Sequence, residues 1–347
     1  PPLPDLPDFV ATAEMSSESP DASAPPLPPG PFDNGRLVVA ESESRIVRLQ
    51  TADGMELIPN FVSERLEYLF EYLPKTPRVL VDTLGTPWCH PAVFKDVTPG
   101  AYEGGTPPRL AGLDLLLTGH LDLLSSCALY TSMNRTNKPI IMRILLSRTR
   151  DLAASEAPST LHEALARTLA LTVYHIMALL DGDIEARATA ETTLPTLEAA
   201  AESLIPHANL GAEHTYPATL PLYPLAETDA FWKTWVLTES IRRTMLFSHQ
   251  FMACYSLLRG ASSVDCAAMS RHKSWTLAAP LWHADNAVDF AVAWGGKNRW
   301  LMDMVNTDGA FEGAVPEDVC QFGRMVMTCF MGRQQARGWF ASRGEVF

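Results

Sequence analysis

The stretch that most constrains the fold is Pro158 to Glu198, "PSTLHEALARTLALTVYHIMALLDGDIEARATAETTLPTLE". Pro158 blocks a helix arriving from behind, and Thr160 with Glu163 forms a capping box, so a helix starts at this point. Its apolar positions, Leu165, Leu169, Val173, Ile176, Met177 and Leu180, go almost all the way round. A helix with no polar face has to lie in the middle of a helical body. Asp181-Gly182-Asp183 then raises a choice between an acidic site and a corner. Glycine can take the left-handed conformation just past a helix end, and aspartate is a favoured N-cap, so the triplet predicts a tight turn into a second helix. Asp183, Arg187 and Glu191 fall at i, i+4 and i+8 and predict a charge ladder on that helix. No oxygen-ligand spacing of a calcium loop accompanies them.

Elsewhere the period is also helical. Apolar stripes predict helices over Phe61 to Leu73, Leu110 to Tyr130 and Lys138 to Ala154. The longest begins at Thr228 or Asp229 and ends at Gly260, and shorter ones fall near Asn286 to Trp294, Asn298 to Val305 and Pro316 to Gly332. Val79 to Gly105 and Pro206 to Glu227 read as irregular chain, rich in Pro, Gly or Asp. The expected fold class is all-α, a multi-helix domain of long antiparallel helices.

The first 31 residues hold ten prolines and five acids, with no lysine or arginine before Arg36. We therefore expect residues 1–59 to be a proline-rich linker or tail ending in a short hairpin around Asp53-Gly54, and residues 60–347 to be one helical regulatory or ligand-binding domain.

Charge narrows the partners. With 27 basic and 40 acidic residues the chain carries −13, which disfavours direct contact with a nucleic-acid backbone. The six cysteines are scattered without a C-x-x-C pair, which fits reduced thiols better than disulfides or zinc. No signal peptide stands out and no apolar run reads as long enough to span a bilayer, so a soluble, intracellular chain without a membrane partner is expected. The sequence starts at Pro1 without a methionine and reads as a fragment.

Candidate chemistry is sparse. In "ESIRRT", Glu239 and Arg243 are i, i+4, while Arg242 shares a face with Trp235, Met245 and His249. A buried arginine needs a carboxylate, for which Asp181, Asp183 or Glu191 across a helix interface would serve; an internal ion pair outranks anion binding. For a ligand bearing a carboxylate or phosphate, Arg242 is the first choice, with Trp235, His249 and Trp282 as further ligand-binding candidates. His249, His283, Asp285 and Tyr174 are the acid-base candidates. The sequence has no G-x-S-x-G, H-E-x-x-H, P-loop or G-x-G-x-x-G motif, so no catalytic residue is assigned and no metal or other cofactor is expected in this chain. The tryptophans and methionines of the C-terminal half suit an apolar pocket as well as a core.

Five blocks occur in a familiar order: "TPWCHPAVF" (Thr86 to Phe94), "CALYTSMNRTN" (Cys127 to Asn137), "VYHIMALLDGDIEARATAETTLPTLE", "WVLTESIRRT" (Trp235 to Thr244) and "LWHADNA" from Leu281. The chain between about Phe61 and Arg333 resembles the C-terminal region of fungal Zn2Cys6 transcription factors of secondary-metabolite clusters. The resemblance implies an all-helical regulatory region that senses effectors or helps dimerisation, in a nuclear protein. Zinc and promoter DNA would then belong to an N-terminal basic finger with six cysteines, whose spacing none of the six cysteines here matches. If that finger lies upstream, ligand-tuned transcription control is implied. A finger-less member could instead be a cytoplasmic, cofactor-independent enzyme of cyclase, isomerase or hydrolase type acting on a fungal metabolite, or a partner that dimerises with a complete regulator.

Overall fold

A computed structural model describes residues 32–33, 36–38, 46–51, 54–97, 111–208, 216–261, 263–265, 274–296, 299–303 and 308–347. The body is all-α, as the periodicity predicts. Its helices are α1 (Asn60–Tyr72), α2 (Thr76–Thr83), α3 (Ala111–Thr131), α4 (Lys138–Ala154), α5 (Leu161–Leu180), α6 (Ile184–Ser203) and α7 (Ala226–Leu258). Shorter ones follow: α8 (Ala279–Trp282), α9 (Ala287–Gly296), α10 (Asp308–Gly313), α11 (Gln321–Met331) and α12 (Arg333–Ala341).

Helix α5 sits where its sequence requires. It packs against α3, α4, α6 and α7, and nearly every one of its side chains is buried. The capping box forms: Thr160 Oγ1 accepts from Glu163 N at 3.2 Å and Glu163 Oε2 accepts from Thr160 N at 3.2 Å. Contrary to the bilayer expectation, α5 is long and apolar enough to cross a membrane by length and composition alone. However, 89% of its most apolar window is buried inside the protein, as befits a core helix.

Helix α7 is the second axis. Its 33 residues span roughly 50 Å at 1.5 Å per residue and contact α5, α6 and α9. It starts at Ala226 rather than at Thr228 or Asp229. Leu225 is the N-cap with no side-chain bond, and Thr228 instead fastens its hydroxyl to Pro221 O. Gly260, at φ +84°, follows its end as expected.

Two expectations fail at short segments. Val79 to Gly105 is not irregular throughout: α2 occupies its start, with Pro77 in the first turn, and Pro91–Val97 forms a 3-10 turn. Trp300–Asp303 is a strand, β7, rather than part of a helix over Asn298 to Val305, and it pairs antiparallel with β6 (Ser274–Leu277) from Ser274↔Asp303 to Leu277↔Trp300. Four-residue strands are too short for an alternating pattern to stand out, and pairing partner supplies what propensity does not. Where a short hairpin is expected, β3 (Ile46–Thr51) pairs antiparallel with β4 (Gly54–Pro59), and β1 (Phe32–Asp33), β2 (Arg36–Val38) and β5 (Ser263–Asp265) form a three-stranded sheet with β2 in the middle. All of these strands are short, at two to six residues.

Candidate functional site

The quoted block "TPWCHPAVF" docks along one face of α7. Gly85 makes the docking turn possible, because a Cβ there would stand 2.7 Å from Pro91 Cδ, and Thr86 bridges Cys89 immediately after it. The turn lays His90 N on Ser240 Oγ at 3.1 Å, Trp88 O on Thr244 Oγ1 at 3.1 Å, and the Trp88 ring flat on Phe247 at 3.5 Å. Residues 240, 244 and 247 lie on one helical stripe, so two blocks far apart in sequence form a single interface.

At the middle of that interface lies a buried ion cluster. Glu239 and Arg243 are 0% exposed and Arg242 1%. Arg243 Nε donates to Glu239 Oε1 at 2.8 Å, as its i, i+4 spacing predicts. The rest of its guanidinium reaches Pro87 O, Cys320 Sγ and Thr276 O, and its Cζ lies 3.8 Å from the centroid of the Trp282 ring. Thr276 on β6 completes the carboxylate by donating its N–H to Glu239 Oε1 at 2.8 Å and its hydroxyl to Oε2 at 3.3 Å.

The expected partner of Arg242 is corrected here. Its carboxylate is Glu239, one turn back on its own helix at 3.6 Å, and its Nε donates to Ala208 O at 2.7 Å. The acids proposed for it are engaged elsewhere. Asp181 accepts Lys138 Nζ at 2.6 Å and the Tyr130 hydroxyl at 3.3 Å, Asp183 Oδ1 caps α6 through Ala186 N at 2.8 Å, and Glu191 takes the Tyr255 hydroxyl at 2.7 Å with Arg259 at 3.5 Å. Gly182, at φ +86°, makes the turn between Asp181 and Asp183. The acidic triplet is thus a helix stop, a turn and a helix start that ties α3, α4, α5 and α6 together, and Glu191 on α6 reaches across to α7.

The acid-base candidates have separate partners. His249 is buried, with Nδ1 2.8 Å from Met245 O. His283 and Asp285 are exposed beyond α8. They face His90, which the sequence reading had not singled out although it lies in a quoted block. His90 is buried and meets Trp282 edge-on at 5.2 Å. Burial, then the nearby Arg243 cation, push the His90 pKa down to about 4, against a smaller opposing pull from Asp285. Burial and Arg243 likewise lower His283. Trp235 packs its ring 5.1 Å from Phe290 in an aromatic group with Trp294. Sequence spacing carries no signal for this convergence, because His90, Thr276, Trp282 and Cys320 arrive from four different segments.

Tyr174 belongs to a different place. A cavity of about 550 Å³ opens between α3, α4 and α5, and Tyr174 lines it, whereas Trp235, Arg242, His249 and Trp282 do not. The Tyr174 hydroxyl lies 3.2 Å from Ser126 Oγ. Arg148 reaches in from α4 and is held by Asp122 O at 2.8 Å and Ser125 Oγ at 2.7 Å. Arg167 donates to Ser155 O, Ser155 Oγ and Glu156 O, closing the α4–α5 connection. Glu163 also lines the cavity. Its Oε2 accepts from Ser159 N at 2.7 Å, Ser159 Oγ at 2.8 Å and Thr160 N, while Oε1 is buried with no hydrogen-bond partner. Desolvation pushes its carboxyl up, but the bonds from Ser159 and Thr160 outweigh it, and the group titrates below its ordinary value.

Among the described residues no group of three or more His, Cys, Asp or Glu side chains could hold a metal ion. Among the described residues, Cys89, Cys127, Cys254, Cys320 and Cys329 form no disulfide.

No family model matches the chain, and no solved structure does. The transcription factor gsfR2 of Penicillium aethiopicum is 25% identical over 288 residues, which cover 81% of this chain and 63% of that protein. The chain thus spans less than two thirds of its relative's length, and it is similar to a fungal protein named as a transcription factor.

Proposed function

We propose that this chain is the helical regulatory part of a fungal transcription factor of the Zn2Cys6 kind, acting in the nucleus on a secondary-metabolite gene cluster. The observation that carries this reading is the similarity to gsfR2 over 288 residues, which runs through most of an all-helical body. The net charge of −13 disfavours direct contact with promoter DNA, which on this reading falls to a basic finger outside these 347 residues. Dimerisation and effector sensing are the two ways such a body would act.

The finger-less enzyme has less behind it. The cavity between α3, α4 and α5 takes in Tyr174 but not His249, His283 or Asp285, so the four candidate acid-base groups do not surround one substrate there. Fusing the chain to a heterologous DNA-binding module in a filamentous fungus tests the regulatory reading. Reporter transcription is expected to change relative to the module alone. An unchanged reporter, with the fusion present in the nucleus, would overturn it.

A further inference from the structure

The outer face of α4 differs in charge from the rest of the chain. Residues 123–150 hold five of its 27 basic side chains and none of its 40 acids. Arg148 turns inward onto α3, whereas Arg135, Arg143 and Arg150 are exposed and Lys138 is partly so. Ile140, Arg143, Ser147 and Arg150 recur at intervals of three and four residues, so they share one stripe about 15 Å long. All four are exposed, Ile140 by 62%.

A second apolar side chain stands at the same end of the body. Lys138 Nζ meets Asp181 at 2.6 Å, which brings the start of α4 beside the corner that leads into α6, and Ile184 just past that corner is 79% exposed. A single exposed isoleucine is ordinary, but two at one end with cations around them make a surface of definite chemistry. The neighbouring acids are engaged: Asp181 by Lys138 and Tyr130, Asp183 by the α6 cap, and Glu185 by Arg150 at 4.0 Å. Among the described residues, Arg135 and Arg143 have no carboxylate within that distance, so the uncompensated charge on this face is positive.

We propose that this face docks an acidic amphipathic helix of another protein, lying along α4 with its apolar residues on Ile140 and Ile184 and its carboxylates on Arg135 and Arg143. Charge complementarity selects that occupant. A nucleic-acid backbone would leave both isoleucines uncovered. An anionic membrane would meet Glu185, whose side chain is 79% exposed beside Ile184, in a chain of net charge −13. The surface goes beyond the regulatory reading and does not depend on it, since binding is measured on the protein alone.

The probe is a fluorescein-labelled helical peptide of about four turns, with leucines on one face and glutamates on its flanks. Two controls replace its glutamates by lysines or its leucines by alanines. In fluorescence anisotropy with the full chain at low ionic strength, the acidic amphipathic peptide should bind about tenfold tighter than either control and weaken as salt rises. Ile184→Asp should weaken it about tenfold, and Arg135→Glu combined with Arg143→Glu should reverse the preference towards the lysine peptide. The substituted side chains are exposed, and circular dichroism verifies that each variant is folded; should Ile184→Asp fail to fold, Ile140→Asp takes its place. The proposal is overturned if the acidic peptide does not bind, if either control binds as well, or if it binds the folded variants as it binds the natural protein. In that last case, loss of binding to phosphatidylserine vesicles or of self-association in sedimentation would assign the face to a membrane or to a second copy of the chain.

Discussion

Glu239 and Glu163 are both buried carboxylates on central helices, and their surroundings differ in one respect. Around Glu239 every approach is filled by the protein itself: Arg242 and Arg243 from its own helix, Thr276 from β6, and the Trp282 ring over the guanidinium of Arg243. Around Glu163 one oxygen is fully engaged, and the other is buried without a hydrogen-bond partner. A saturated buried charge fixes the register of its neighbours, whereas a half-satisfied one leaves part of its burial cost uncompensated.

The largest test of this contrast is Glu239→Ala. It strands two buried guanidinium groups and should cost about 3–5 kcal/mol, read by urea denaturation. Glu163→Gln, which keeps an acceptor at the capping box, should cost about 1 kcal/mol or less. Equal costs for the two would break the comparison.

A second test uses acid. The folded pKa of His90 lies near 4, below its unfolded value, so the unfolded chain takes up the proton first. Stability from this group is complete above pH 6.5 and is lost as the pH falls towards 4, by about 3 kcal/mol if the site stays closed. His120, stacked 4.2 Å from Phe94 and likewise lowered to about 4 by burial, adds a similar slope. Denaturation midpoints measured across that window should flatten in a His90→Asn variant. A slope unchanged by the substitution would show that water reaches the ion cluster.

Smaller effects sharpen the other side. Thr160→Ala removes the reciprocal half of the capping box at the cavity edge and should lower stability by about 1 kcal/mol in thermal unfolding. Asp82→Asn breaks an exposed i, i+4 pair with Arg78, and the same assay should register less than about 0.5 kcal/mol.

What the sequence made legible was local. The capping box, the Gly182 turn and the Glu239–Arg243 pair depend on spacings of a few residues, and each is found where the spacing puts it. The carboxylate for Arg242 was misplaced because a buried arginine needs some acid, and spacing alone does not say whether the nearest acid or one across an interface supplies it. His90 escaped notice because its environment comes from Arg243, Trp282 and Asp285, all at least 150 residues away in sequence. The cavity was illegible for a related reason. Glu163 was read through the bonds of one of its oxygens, and only the packing of α3 and α4 against α5 shows that the other has none.

Arg243 also carries a consequence for the order in which the chain can fold. Its partners include Pro87, Thr276 and Cys320, separated from it by 156, 33 and 77 residues. A nascent chain released only as far as the end of α7 would hold this guanidinium with Glu239 and Pro87 but without its lid of β6 and Cys320. The centre of the protein therefore closes late, in one step that joins its early, middle and late segments, and hydrogen exchange should find the backbone amides around Glu239 and Thr276 opening together rather than in separate units.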